Sequence, residues 1–516
     1  TLDDSLGGFQ TTAVDTLDTL ALMGEYDEFR RTVRAVVRTL SFDRDVTVSV
    51  FETNIRILGG LLSTHMLLED EETSDLLLGS IKHDDGDDDV GNDDDDGDDD
   101  TNLNTGKPAA GVPFASTKER LTPILGGIDA EPLTYNGELL NLALDLGHRL
   151  LPAFRTKHGI PLHRVNLKYG VPKGETKETC LAAAGTLILE FGVLSRLSGI
   201  SIFESTAKKA IQAIWSKRSP LNLMGSTLDT EKGTWVQTHS SIGAGSDSFY
   251  EYLLKAYLLF GDTEYLHMFD QMYDAMEKHL SHGPWKIEVD MNKGQDKIRS
   301  YYVSSLAAFW PALQVMAGDV NDAQSSHGAF YSIWKKFQSM PEIFDIANQK
   351  TINFGKDWPL RPELLESTYH LYVATRDPYY LEVAVDVMST LQNITRVPCG
   401  FASIADVNTH RLDDRMDSYF LAETLKYLYL IFDEASRSVP LLTMKKKNST
   451  QNSSIVGSSS ASSSNSHSSS HSSSSSLLSS SSFSNNNQKS MLPVGSTRDK
   501  EKTTTSNCVA WRQTGD

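Results

Sequence analysis

The chain has 516 residues, a formal net charge of −20 and three cysteines. Twelve aspartates between 84 and 100 carry more than half of that charge and leave −8 for everything else, so no clustered basic face for nucleic acid is expected. Cys180, Cys399 and Cys508 are too few for a disulfide scaffold, and no run of 18 apolar residues predicts a membrane span.

The first predicted helices cover Val14–Leu22 and Ile55–Leu68, where apolar residues recur at three- and four-residue steps. An acidic insert, 82–106, follows. It lacks the apolar content to bury a core and is expected to be disordered. Within it, Asp93–Gly97 superficially matches part of an EF-hand loop but has neither the closing Glu nor flanking helices. Apolar helices resume at Leu139–Leu151, Ala182–Leu197, Tyr252–Phe260, Leu306–Met316, Leu364–Val373 and Phe420–Phe432. Residues 445–516 are dominated by Ser and Asn and form a second low-complexity segment. The triplets at Asn393, Asn448 and Asn452 fit the N-glycosylation pattern, and no secretory leader is visible after Thr1. Cys180 and Cys399 read as two free thiols, with one bridge between them as the alternative.

A repeat runs through these helices. Gly199, Gly261, Gly318 and Arg376 each follow an apolar helix and precede a less apolar one, at spacings of 62, 57 and 58 residues. Gly24 and Glu69-Asp70 mark two earlier turns. Glycine suits a left-handed C-cap, and the aspartates of Gly261-Asp262 and Gly318-Asp319 suit the next N-cap. About seven such hairpins predict either an open solenoid or a closed all-α (α/α)7 toroid over residues 1–435. The helices before each turn are apolar nearly all round, which favours an inner ring wrapped by an outer one.

The inner helices open on charged residues: Glu52 and Arg56, Asp247 and Glu251, Arg361, Glu363 and Glu366, and Arg415, Asp417 and Glu423. Any one of these carboxylates could simply cap a helix dipole. Glu423, however, sits inside an apolar helix, where an unpaired charge is costly. In a toroid all these first turns meet at one mouth. Several carboxylates and arginines in an apolar-walled cavity suit glycoside hydrolysis, which needs one protonated acid and one ionised base. Trp and Tyr nearby would supply stacking faces. His65 and His239 lack metal-ligand spacing.

Six segments carry a resemblance. They are Val14-Asp-Thr-Leu-Asp-Thr-Leu, Ser49-Val-Phe-Glu-Thr-Asn-Ile-Arg, Leu150-Leu-Pro-Ala-Phe, Gly243-Ala-Gly-Ser-Asp-Ser-Phe-Tyr-Glu-Tyr-Leu, Leu360-Arg-Pro-Glu-Leu-Leu-Glu-Ser and Asp414-Arg-Met-Asp-Ser-Tyr-Phe-Leu-Ala-Glu-Thr-Leu. In this order the sequence resembles the class I α-mannosidases, glycoside hydrolase family 47, and within it the ER degradation-enhancing branch. The resemblance implies an inverting α-1,2-mannosidase that trims high-mannose N-glycans of misfolded glycoproteins in the endoplasmic reticulum lumen, with a protein disulfide isomerase-like partner. It makes Glu52 the general acid, Glu363 the general base and Asp247 a third catalytic carboxylate. Arg56, Arg361, Glu366 and Glu423 become sugar-contacting or cavity-ordering residues, and Tyr419 an aromatic face for the sugar. Acid and base of an inverting enzyme should stand roughly 6.5–9.5 Å apart. The family also implies Ca2+, held by a Thr in a hairpin reading Asn-Thr-Glu or Thr-Thr-Glu, and no such motif is found here. Cys399 resembles a cysteine whose partner lies on a first outer helix, absent before Thr1. Two readings compete with the enzyme: a lectin-like relative that binds such glycans without turnover, and a helical scaffold whose carboxylates are caps.

Overall fold

The turns that the sequence places after its apolar helices are left-handed. Gly199, Gly261, Gly318 and Arg376 have φ of 73°, 74°, 96° and 57°, and each ends a helix: 188–198, Asp247–Phe260, Trp310–Ala317 and Glu363–Thr375. A residue without a β-carbon enters this region freely, which is why three of the four are glycine. Asp262 then caps the following helix, its Oδ1 accepting from the Glu264 amide at 3.0 Å. The computed structural model describes residues 7–79 and 131–438, and both low-complexity segments, 82–106 and 445–516, lie outside them.

Among the described residues, seven helical stretches (11–22, 50–69, 181–198, 247–260, 305–317, 363–375 and 420–438) send side chains into one central cavity. Six others form an outer layer: Tyr26–Thr39, Glu138–Leu150, Ile202–Trp215, Thr263–Leu280, Val320–Phe337 and 379–395. Each inner stretch touches the next in chain order. The last touches the first. The Thr19 hydroxyl donates to the Ala422 carbonyl at 3.4 Å, the Ser418 hydroxyl donates to Asp15, and Lys426 Nζ lies 2.9 Å from both Asp18 carboxylate oxygens. An open superhelix cannot join its two ends in this way.

The expected helix over Val14–Leu22 is two shorter ones, Thr11–Asp15 and Leu17–Leu22, broken where the Thr16 hydroxyl bonds back to the Thr12 carbonyl. Leu181–Ser198 is long and apolar enough by composition to cross a membrane, which the absence of an unbroken apolar run did not suggest. It is an inner helix, with 72% of that stretch buried inside the protein. Cys180 is a free thiol, whereas Cys399 is disulfide-bonded. This corrects the expectation of two free thiols and rules out their pairing with each other.

The fold is mainly helical, but the long connections leading into the inner helices carry short antiparallel strands. Thr47–Ser49 pairs with Arg164–Asn166, Glu178–Cys180 with Thr227–Asp229, and Tyr302–Ser304 with Ile343–Asp345. His239–Ser240 pairs with Glu288–Asp290, and Trp358 bridges Ile404. Successive connections are thus stitched together around the cavity mouth. The strands also deliver the caps: Ser49, Cys180 and Ser304 accept from the amides of Glu52, Ala183 and Leu306. The first turn that carries Glu52 is thereby fixed by strand pairing at the rim.

Candidate active site

The cavity has a volume of about 740 Å³, and its wall holds eight carboxylates against four lysines and arginines. Glu52, Asp247 and Glu363 open three different inner helices and border it together, as do Arg56, Arg361, Glu366, Tyr419 and Glu423. Arg415 and Asp417 are not in the wall. They pair with each other at 2.8 Å and support it from outside. His65 and His239 are satisfied elsewhere, by Tyr135 at 2.7 Å and Glu288 at 2.8 Å.

Glu52 lies in the first turn of its helix, and its Oε2 accepts from Arg56 Nε at 2.9 Å. The chain then widens into a π-helical stretch, Thr53–Leu58, and a second one, Phe420–Thr424, carries Glu423. Such wide turns recur at functional sites because they re-aim side chains within a helix. Here they bring Arg56 Nη1 within 3.5 Å of Asp15 and 3.9 Å of Glu423. Burial opposes the Arg56 charge, but Glu52, Asp15 and Glu423 outweigh it and hold the guanidinium firmly protonated.

Asp247 accepts from the Ser248 amide at 2.9 Å. Burial pushes its carboxyl up to about 6, with Arg361 pulling the other way. Burial pushes Glu363 up to about 8, again against Arg361. Glu363 Oε2 is buried and has no hydrogen-bond partner in the protein. A buried carboxylate oxygen left unsatisfied at a cavity wall is a group waiting for a ligand or water. Glu366 is raised well above the ordinary carboxylate range by burial and by the Glu251 charge. Lys255 contacts Glu251 directly and stands 3.9 Å from Glu366.

The aromatic rings at the cavity are Phe51, Tyr252, Phe309, Tyr419 and Tyr427. Among the described residues, no tryptophan lines it. Trp310 stacks on Tyr273 in the core instead, at 5.6 Å. Tyr419 is only 6% exposed, so it offers little ring to a ligand. It braces two cations, with the Arg56 and Arg361 guanidinium carbons 5.4 and 5.3 Å from its centroid. The residue before Arg361, Leu360, has φ of 65°, a strained position for a bulky side chain. It is held there by the Thr424 hydroxyl, which donates to its carbonyl at 2.7 Å.

Sequence reasoning missed several members. Asp15 and Asp18 stand three apart on the first inner stretch, and Lys255 lies within an apolar helix, so both signals were present. Glu190, in the apolar Ile188–Ser198, is not in the wall itself but is buried and held by Asn54 and the wall residue Tyr252, each at 2.7 Å. Burial pushes it up to about 7. The rule that singled out Glu423 applies to it equally.

A calcium ion takes six to eight oxygen ligands. Among the described residues no three Asp, Glu, His or Cys side chains are set to hold one metal ion, and the deep carboxylates of Glu251 and Glu366 are turned toward Lys255. These residues do not by themselves fit the ion.

With this geometry in place, comparison with known proteins gives a direct answer: residues 1–446 match the model of glycosyl hydrolase family 47. The chain belongs to that family, the class I α-mannosidases. It is 44% identical to Alpha-mannosidase I MNS4 of Arabidopsis thaliana over 84% of this chain and 60% of that protein. It is 42% identical to human ER degradation-enhancing alpha-mannosidase-like protein 3, over 84% of this chain and 41% of the relative. The chain thus spans roughly two fifths to three fifths of the length of these curated relatives. The fold resembles that of the alpha-1,2-mannosidase from Trichoderma reesei, with a TM-score of 0.65 at 24% identity, covering 82% of this chain and 85% of that one. The scaffold reading is therefore set aside: the chain is a family 47 glycosidase homologue of the degradation-related branch.

Proposed function

We propose that this chain is an inverting α-1,2-mannosidase, built on an (α/α)7 toroid over residues 1–435, that trims high-mannose N-glycans of misfolded glycoproteins in the endoplasmic reticulum lumen and so commits them to degradation. Its partners would be those glycoproteins and a protein disulfide isomerase-like protein. The observation that carries the reading is the meeting of Glu52, Asp247 and Glu363, from three separate inner helices, at one sugar-sized cavity in a family 47 chain.

In this proposal Glu52 protonates the leaving oxygen, through a water, while Arg56 holds its carboxyl in place. Glu363 takes a proton from the attacking water, and its unpartnered Oε2 is the atom that would accept it. Asp247 is the third carboxylate, facing the same cation, Arg361. Arg56, Arg361, Glu366, Tyr419 and Glu423 contact the sugar or order the cavity. A base must be ionised to act, and Glu363 in the free protein is held at about 8. Turnover by this route therefore rises with pH through the neutral range.

The test is release of mannose from a mannose-rich N-glycan, with the first-formed anomer read by NMR. Inversion of an α-linkage yields β-mannose first. Glu52→Gln should abolish release while leaving the fold intact, because it removes the proton and keeps the shape. Normal trimming by Glu52→Gln would falsify the acid assignment. The lectin-like reading predicts retention of the glycan with no free mannose.

A further inference from the structure

Glu342 lies outside the cavity wall and belongs to no helix, yet it makes the best-formed ion pair in the neighbourhood. Arg361 Nε and Nη2 donate to its two carboxylate oxygens, each at 2.9 Å. Two parallel bonds of this kind fix the plane of a guanidinium as well as its position. Glu342 is itself held from the neighbouring repeat. The Ser305 hydroxyl donates to its Oε1 at 2.8 Å, the Ser305 amide donates to its carbonyl at 3.0 Å, and its own amide donates to Asp357 at 2.9 Å. Both side chains are only about one-fifth exposed.

What the pair holds is Arg361, which does lie in the cavity wall. Its guanidinium packs on Tyr419, whose hydroxyl is 2.7 Å from Asp417 and 3.0 Å from the Pro359 carbonyl. The backbone just before it is pinned at the strained Leu360. Side chain and main chain of Arg361 are thus clamped independently.

We propose that Glu342 is a positioning residue of this site: through its two-pronged grip on Arg361 it keeps that cation braced against Tyr419, facing Asp247 and Glu363 without collapsing onto either. Its catalytic consequence rests on the mannosidase reading, whereas the lock does not. Glu342 also partly offsets the Arg361 charge and repels Glu363, while Arg361 draws the carboxyls of both Glu363 and Asp247 down. Removing the Glu342 charge acts on Glu363 in one direction. The repulsion goes, and the freed guanidinium turns its full charge on the nearest carboxylates.

The test uses the full chain with 13C-labelled glutamate, and the Glu363 signal is assigned by its loss in Glu363→Gln. In Glu342→Gln the Glu363 titration midpoint should fall by about one pH unit, with kcat for mannose release falling about tenfold or more and KM changing less. In an Arg361→Gln background only the direct repulsion is lost, so the same substitution should lower the midpoint by clearly less and leave kcat unchanged. A Glu363 midpoint unmoved in folded Glu342→Gln, or moved equally without Arg361, overturns the proposal. Should Glu342→Gln not fold, Glu342→Asp keeps the charge but shortens the arm by one methylene. Its midpoint should also fall, by less, and an unchanged value again overturns the lock. A wild-type chain that releases no mannose defeats the functional reading, while the titration still judges Glu342.

Discussion

Replacing Glu363 by Gln should stabilise the protein near neutral pH and leave it unchanged in acid. Burial raises this carboxyl from 4.5 to about 8. The folded state therefore holds the proton more tightly than the unfolded chain, so the contribution to stability is complete below 4.5 and is lost as pH rises toward 8. At about 1.4 kcal/mol per unit, the loss by pH 7 is ~3 kcal/mol. Gln, uncharged at every pH, escapes it. Exposure of one edge to the cavity trims the difference to ~2–3 kcal/mol. For a unit of roughly 400 residues, with an unfolding entropy of about 2.1 cal/mol/K per residue, that is a rise in Tm of about 3 °C. The assay is thermal unfolding of both proteins from pH 4 to pH 8. The two curves should coincide at pH 4 and separate steadily above pH 5, with the variant the more stable. A variant that is less stable at pH 7, or a gap that does not change with pH, refutes the assignment of Glu363 as a carboxyl strained by burial. Loss of mannose release alongside the gain in stability would be the expected exchange at a catalytic position.

Other outcomes follow from the same geometry. With Glu363 as the base, kcat/KM for mannose release should rise with pH along a limb well above the ordinary carboxylate range; a limb that falls there instead makes Glu363 the proton donor. Gly60→Ala tests the close packing of the first inner stretch on the second, since a β-carbon there would lie 2.7 Å from the Val14 carbonyl oxygen. It should destabilise by ~1–3 kcal/mol in urea titration, and a neutral result would mean the first inner stretch packs loosely. Lys255→Met removes the cation between Glu251 and Glu366 and should cost about 3–5 kcal/mol near neutral pH by the same assay; an effect under 1 kcal/mol would show that the pair is solvated.

The repeat was legible because its signals are local. A left-handed cap demands glycine or tolerates little else, and an inner helix must be apolar on most faces, so Gly199, Gly261 and Gly318 could be read directly from the chain. Half of the cavity was legible for a similar reason: Glu52 and Arg56 stand four apart, and Glu363 and Glu366 three apart, which puts each pair on one face. The wide turns at 53–58 and 420–424 were not legible, because their hydrogen bonding leaves no trace in a three-and-four apolar pattern. Strands of two to four residues are too short to show alternation, so the stitched rim was invisible. Glu342 sits in a connection without periodicity, and only the folded chain brings it to Arg361. Tyr419, expected to face a sugar, does line the cavity, and its packing against two arginines was not legible.

Burial, reinforced by the excess of carboxylates over cations, pushes many of the cavity's acids toward neutrality. Eight acids and four lysines or arginines share about 740 Å³, and full ionisation would set like charges against one another in a poorly solvated space. Protons must therefore be retained, and fixed cations decide where. Glu52 is bonded directly to Arg56. Glu363 feels Arg361 only across a gap, because Glu342 has already claimed that guanidinium. The same ring thus presents one carboxyl tied to its cation and another left with a free oxygen. That asymmetry separates the two glutamates before any sugar arrives: to act as the base Glu363 must first give up the proton that burial holds on it, which is why turnover by the proposed route rises with pH.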